Sequence, residues 1–204
     1  MSTPNQPMPS RIIIGITGAS GAAYSLRTIE LLLRAGVEVH LTASTLGKRL
    51  LNDELGLNRL TADTLMSRMT GLPPTAAITI HNDNDLGATI ASGSFLHDGM
   101  IVVPCSSNTM GAIAAGITQS LVQRAAMVTL KERRPLVLAH RESPLSRIDI
   151  HNMSRLSDAG AIIAPLSPGF YMLPTSVEDV VDFMAGKLLD LVKVPHDLKT
   201  RWGE

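Results

Sequence analysis

The feature that most constrains this chain is a repeated order of segments. A short apolar, β-branched run is followed by a loop of small polar residues and then by a helical pattern. Residues 11–16 (RIIIGI) form the first such run. Its length and branching are those of a buried strand. It enters a small-residue loop, residues 15–21 (GITGASG), and apolar residues then recur at helical spacing from Tyr24 to Arg34. Ala35 and Gly36 end that helix. Residues 37–43 (VEVHLTA) read as the next strand, and Ser44 begins a helix that runs to about Leu55. Strand, loop, helix, strand is the opening of a doubly wound sheet.

The same grammar returns at residues 100–124. Residues 100–103 (MIVV) predict a buried strand that stops at Pro104. Four small side chains follow, Cys105 to Asn108, and Thr109 opens a run of small helix-compatible residues. A strand that turns into a helix through such a loop leaves backbone N–H groups aimed at one spot. That spot suits an anion or the polar rim of a flat ring. Taken alone, Ser106, Ser107 or Asn108 is equally well explained as a helix cap. A second loop of the same kind in one chain favours the ligand.

Further along, residues 77–80 predict a short strand and residues 81–94 a polar loop. A helix is expected over 121–134, a strand over 135–139, a helix over 152–160 and a strand over 161–164. A loop follows at 165–174, and a last helix is capped at Ser176 and ends near Val194. Residues 58–74 are weakly patterned and receive no assignment. The expectation is a three-layer α/β/α, Rossmann-like (flavodoxin-like) domain with a doubly wound, mainly parallel sheet. It spans 11–204 as a single domain behind a flexible tail, 1–10. Ligands of such sheets bind beyond the carboxyl ends of the strands. The candidates therefore collect at residues 17–22, Ser44, 92–94, 105–109, 140–142 and 167–171.

Composition removes other classes. The formal net charge is zero and aromatics are 3% of 204 residues, so neither a basic nucleic-acid surface nor a base-stacking platform is expected. One cysteine rules out an intrachain disulfide framework and a cysteine-based zinc site. The six histidines form no H-x-x-x-H pair, and no metal is assigned. No apolar run approaches the ~20 residues of a membrane span, and no signal peptide is read at the start. The expected compartment is the cytoplasm.

Each candidate also has a purely structural reading. Residues 15–21 look like a dinucleotide fingerprint, but the glycine spacing is broken at Thr17. The second strand ends at Ala43 and Ser44 without the carboxylate that clamps an NAD ribose. A phosphate-binding loop remains; an NAD site does not. Residues 131–134 (KERR) and Arg124 read as solvated helix positions. His140, Arg141 and Glu142 follow a buried strand directly. They can hold a phosphate and move a proton, or form a surface ion pair. Phe170 and Tyr171, in a Pro/Gly loop, either present a hydroxyl to a ligand or plug the core. Cys105 is a nucleophile near a helix start or, more often for such residues, a buried filler.

Taken together, these segments resemble the flavin prenyltransferases. These are the UbiX and phenylacrylate-decarboxylase-associated group of the flavin-binding cysteine-decarboxylase superfamily. The resemblance rests on residues 15–21, Ser92 to Ser94, residues 103–109 (VPCSSNT), 121–124 (LVQR), 130–138 (LKERRPLVL), Arg141 with Glu142, residues 168–171 (PGFY), and Arg201 with Trp202. It implies a metal-independent enzyme that alkylates reduced FMN at N5 and C6 with dimethylallyl phosphate. The product, prenylated FMN, serves a partner UbiD-type decarboxylase. By the same resemblance, Gly18, Ala19, Ser20, Ser44, Ser106, Ser107, Thr109 and Arg141 hold the flavin. Ser92, Gly93, Arg124, Lys131, Tyr171 and Lys187 hold the prenyl phosphate. Ser20, Glu54, Lys131 and Glu142 take part in catalysis. Two departures stand out: the loop before Ser92 carries no tryptophan, and position 187 is Lys where Arg occurs in the family. A homo-oligomer, a dodecamer in this family with sites shared between subunits, is expected. Two rival functions remain, an FMN-dependent cysteine-type decarboxylase and a non-catalytic flavin carrier. The substrate clamp of the former is absent, and Lys131, Arg141 and Glu142 have no task in its chemistry.

Overall fold

The computed structural model describes residues 8–198. Six strands form one sheet: β1 (Arg11–Ile16), β2 (Glu38–Ala43), β3 (Ile78–Asn82), β4 (Gly99–Cys105), β5 (Leu136–His140) and β6 (Ile162–Ile163). Their order is β3-β2-β1-β4-β5-β6, and every pairing is parallel. The helices are α1 (Ala22–Arg34), α2 (Thr45–Leu55), α3 (Ala62–Met66), α4 (Ser107–Ala114), α5 (Leu121–Lys131), α6 (Arg147–Asp158) and α7 (Val177–Leu191).

Parallel strands are covered on both faces because each helical crossover returns over the sheet. β1 shows the consequence. Ile12, Ile14 and Ile16 enter a core shared with Leu32 of α1, Leu51 of α2 and Leu188 of α7. Ile13 enters the opposite core, with Met110 of α4, Val122 of α5 and Leu156 of α6. All four isoleucines are fully buried. The three-layer α/β/α expectation is met. The order reverses between β1 and β4, so the switch-point crevice opens above Ile16 and Cys105.

Several boundaries differ from the sequence reading, each for a physical reason. β4 does not stop at Pro104 but runs to Cys105, with a register shift between Val102 and Cys105 where it pairs β5. A bulge of this kind tolerates a residue without an N–H. α4 opens two residues early, at Ser107, because Ser106 is its cap. α6 starts at Arg147, since Ser146 and Asp149 cap each other reciprocally; its exposed first turn hides the apolar period. α5 ends at Lys131 rather than Arg134. The weakly patterned stretch contains α3, held by a Thr61–Thr64 capping box. The polar loop before β4 contains a 3₁₀ turn, Thr89–Ala91. In the expected tail, Pro9 is buried and the Ser10 amide donates to Asp98 at 2.8 Å. Arg201 and Trp202 lie outside the described residues. Among the described residues no helix is long and apolar enough to cross a membrane, and no cluster suits a metal ion.

Candidate active site

The two small-residue loops meet at the switch point through Thr17. Its hydroxyl donates to the Pro104 carbonyl (2.8 Å) and accepts from the Ser106 amide (2.8 Å). The Thr17 amide donates to the same carbonyl at 3.2 Å. Thr17, which breaks the glycine spacing of the fingerprint, is therefore the fastener between β1 and β4. Gly47, in the first turn of α2, lies so close to β1 that a Cβ there would collide with the Ile16 carbonyl.

α1 opens at Gly21, which has no side chain to cap it and sits at φ 132. Glu54, in the last turn of α2, fills that role. Its carboxylate accepts from the Gly21 amide (3.1 Å) and the Ala22 amide (2.8 Å). Burial pushes the Glu54 carboxyl up. The Ser20 hydroxyl, the two amides and the Arg141 charge pull harder, and hold it below the usual carboxylate range. Ser20, Glu54 and Arg141 thus share one electrostatic neighbourhood, with Gly18 and Ala19 in the loop beside them.

Ser44 caps α2, accepting from the Gly47 amide at 3.0 Å. Ser106 caps α4 in the same way. It accepts from the Thr109 amide at 3.3 Å and donates to the Thr109 hydroxyl at 3.2 Å. The capping reading thus holds for Ser106, while Ser107 turns to His140 (3.0 Å). Arg141 follows β5, and its amide donates to the Cys105 carbonyl at 3.3 Å. Its buried Nε has no partner. A buried guanidinium nitrogen without an acceptor costs free energy, and it marks where an acceptor-rich ligand fits. A flavin mononucleotide supplies such acceptors in its phosphate and ring carbonyls. The first turn of α4 adds backbone donors. The residues present therefore fit that group. Glu142 is exposed, and its carboxylate accepts from the Ser143 amide at 3.1 Å. Cys105 is the buried filler rather than a nucleophile, because burial pushes its thiol up to about 12.

Arg124, Lys131, Ser92 and Gly93 come together elsewhere. With Leu86 and Met127 they line a cavity of about 500 Å³ along the outer side of α5. Lys131 there pairs with Glu132 at 2.8 Å. Arg134, expected on a solvated helix end, instead shapes this cavity. Its guanidinium donates to the carbonyls of Phe95 (2.6 Å) and Gly93 (2.9 Å) and so fixes the loop that carries Ser92. Sequence reasoning missed this function, since a contact across 41 positions has no local signature.

The expected phosphate-holding set does not converge within one chain. Lys131 precedes the amino end of β5 and Arg141 follows its carboxyl end, so the strand between them spans about 16 Å. Tyr171 packs edge-on against Phe183 of α7, with centroids 5.6 Å apart. Exposed Lys187 lies one turn beyond Phe183 on the same helix. α7 and α5 sit on opposite faces of the sheet.

Comparison with known proteins agrees with this architecture. The family model described as Flavoprotein matches residues 1–189. The flavin prenyltransferase UbiX of Thermoplasma acidophilum is 45% identical over 194 residues, covering 94% of this chain and 99% of that protein. The structure of AnUbiX (PadA1) in complex with FMN and dimethylallyl pyrophosphate has a TM-score of 0.83 at 39% identity, covering 95% and 97% of the two chains. A dodecameric FMN-dependent UbiX-like decarboxylase from Escherichia coli O157:H7 has a TM-score of 0.82 at 39% identity, covering 95% and 99%. The fold and the crevice are those of a flavoprotein. Within that class the chain belongs to the flavin prenyltransferase family.

Proposed function

We propose that this protein transfers the dimethylallyl group of dimethylallyl phosphate to reduced FMN, releasing prenylated FMN to a UbiD-type decarboxylase. The observation that carries the reading is the switch-point crevice. There the partnerless Nε of Arg141 adjoins the Ser20–Glu54 pair. The N5–C1 bond between flavin and donor forms as the C1–O bond to phosphate breaks and the N5 proton leaves. The C6–C3 bond forms as the donor's alkene opens, with a proton taken up at C2 and the C6 proton released, so that phosphate and one proton leave in all. Arg141, the first turn of α4 and the loop Gly18 to Ser20 orient the ring, with Ser44, Ser106, Ser107 and Thr109 around it. Arg124 and Lys131, beside Ser92 and Gly93, stabilise negative charge on the departing phosphate, so no metal is needed. In this reading Glu142 accepts a proton, and Glu54 with Ser20 relays one.

The split of the phosphate-holding residues between two faces supports a site completed by a second copy. One copy contributes Arg124 and Lys131, and another contributes Tyr171 and Lys187. Apolar exposure fits this reading. Ile148 is 72% exposed and Ile150 53% on α6, and Leu173 is 81% exposed and Val177 73% beside Tyr171. Such side chains gather where a surface is covered. We further propose that the protein is a homo-oligomer acting in the cytoplasm, each copy a single flavin-binding domain over 11–204.

The test is anaerobic incubation with reduced FMN and either dimethylallyl phosphate or dimethylallyl pyrophosphate, then mass spectrometry of the extracted flavin. A flavin heavier by one isoprene unit is expected with the monophosphate. Recovery of unaltered FMN with both donors refutes the activity and leaves a flavin carrier.

A further inference from the structure

The cavity beside Arg124 and Lys131 is a cleft between two walls, and a buried carboxylate with no role assigned above ties those walls together. One wall is α5, which contributes Arg124, Met127 and Lys131. The other is the loop after β3, with Leu86, Gly87 and Ala88. Asp83 opens that loop, directly after β3, and is 7% exposed. Its carboxylate accepts from the Val122 amide at 2.9 Å, and its main-chain carbonyl accepts from the Leu121 amide at 2.8 Å. Leu121 and Val122 begin α5, so this single loop residue satisfies two of the helix's orphan donors. Beyond Asp83 the loop is braced by Asp85, which accepts from the Gly87 amide (3.0 Å) and, through its carbonyl, from the Ala88 amide (3.2 Å).

The other donors of that first turn are taken as well. The Gln123 amide donates to the Ser120 hydroxyl at 3.4 Å and the Arg124 amide to the Ser120 carbonyl at 2.9 Å. The amino end of α5 therefore has no backbone N–H left for a phosphate, and an anion in this cleft must be held by side chains. Where Arg124 stands then matters. Val122 rests on β1, where a Cβ at Gly15 would crowd it, and that contact sets the height of α5 above the sheet. Helix amides lie along the helix axis, so the bonds to Asp83 set the position of α5 along that axis. Arg134 fastens the far end of the same cleft through the Gly93 and Phe95 carbonyls. With both ends tied, the gap between Arg124 and the facing loop is fixed before a ligand arrives, which lowers the cost of binding.

We propose that Asp83 is a positioning residue for the prenyl donor. Through its bond to the Val122 amide it sets where Arg124 stands against the loop, and so sets the affinity of the cleft for a phosphate-bearing ligand that it does not touch. The inference rests on the donor site of the preceding section.

The test is calorimetric binding of dimethylallyl phosphate to the assembled protein carrying oxidised FMN, so that no turnover intervenes. Asp83→Ala should weaken donor binding by about tenfold, the worth of one charge-assisted contact of Arg124, with FMN affinity unchanged. Asp83→Asn keeps an oxygen for the Val122 amide and should bind the donor within about threefold of the unaltered protein. A double-mutant cycle with Arg124→Ala shows whether Asp83 acts through Arg124: adding Asp83→Ala to Arg124→Ala should then cost nothing further. Fully additive losses, unchanged donor affinity in Asp83→Ala, or an Asn variant as weak as the Ala variant each overturn the inference. So does an equal loss of FMN and donor, which is general unfolding. Should Asp83→Ala fail to assemble, Asp83→Glu carries the same test, because it moves the carboxylate out by one carbon. Weakened donor binding with FMN intact is expected there, and unchanged donor binding refutes the role. Failure of the unaltered protein to bind FMN or dimethylallyl phosphate overturns the reading of the preceding section and this inference with it, whereas binding with the wrong pattern among the variants overturns this inference alone.

Discussion

Replacing Thr17 with Val tests whether the switch point is fastened as described. The two side chains are nearly isosteric, and Thr17 is 1% exposed, so the change removes a hydroxyl without opening a cavity. That hydroxyl makes two bonds, to the Pro104 carbonyl and from the Ser106 amide, each 2.8 Å. The Pro104 carbonyl keeps the Thr17 amide as a partner, so its loss is one net hydrogen bond of about 1 kcal/mol. The Ser106 amide loses its acceptor, and an orphaned buried donor costs about 1–3 kcal/mol. Together the variant should lose about 2–4 kcal/mol. For a chain of this length that is a fall in Tm of roughly 4–16 °C. Thr17→Ser retains both bonds and loses one methyl, worth about 1 kcal/mol. The assay is urea unfolding of all three proteins at one fixed concentration, since assembly would shift apparent stability. A Val variant within about 0.5 kcal/mol of the unaltered protein, or no less stable than the Ser variant, refutes the fastening argument.

Three further outcomes follow from the site. Arg134→Gln removes charge-assisted bonds to the Gly93 and Phe95 carbonyls, each worth about 1.5–3 kcal/mol. The KM for the prenyl donor should rise at least about tenfold with FMN affinity unchanged, and equal losses of both would mean general unfolding instead. The depressed Glu54 carboxyl contributes stability that is present above the usual carboxylate range and lost as pH falls through its lower folded value. Hydrogen-exchange protection of the Gly21 and Ala22 amides should therefore collapse on acidification below the ordinary carboxylate range. In Glu54→Gln it should be weak at neutral pH already, and protection independent of both pH and substitution counts against the capping role. Cys105→Ala should retain most turnover, because a fully buried thiol pushed up to about 12 is no nucleophile; abolished turnover with flavin still bound would reverse that assignment.

Local patterning by itself determined most of the series of elements, though not α3 or the Thr89–Ala91 turn. β-branched runs marked β1, β2, β4 and β5. The Ser176 cap placed the start of α7, and the small-residue loops after β1 and β4 pointed to the crevice between them. These signals are local, because strand and helix periods repeat within a few residues. The family resemblance likewise was legible in short motifs such as residues 130–138. The tertiary structure alone decided how these pieces act on one another. Glu54 caps α1 from 32 positions away, Thr17 reaches Ser106 across 89, and His140 meets Ser107 across 33. Arg134 looked like a solvated cation and proved to be a clamp on the Gly93 loop. Lys131 and Arg141 lie ten positions apart in sequence, yet the strand between them sets them at opposite ends of the sheet. Partners of this kind are chosen by how helices cross over a twisted parallel sheet. That choice depends on the packing of the whole core, which no short window of residues contains.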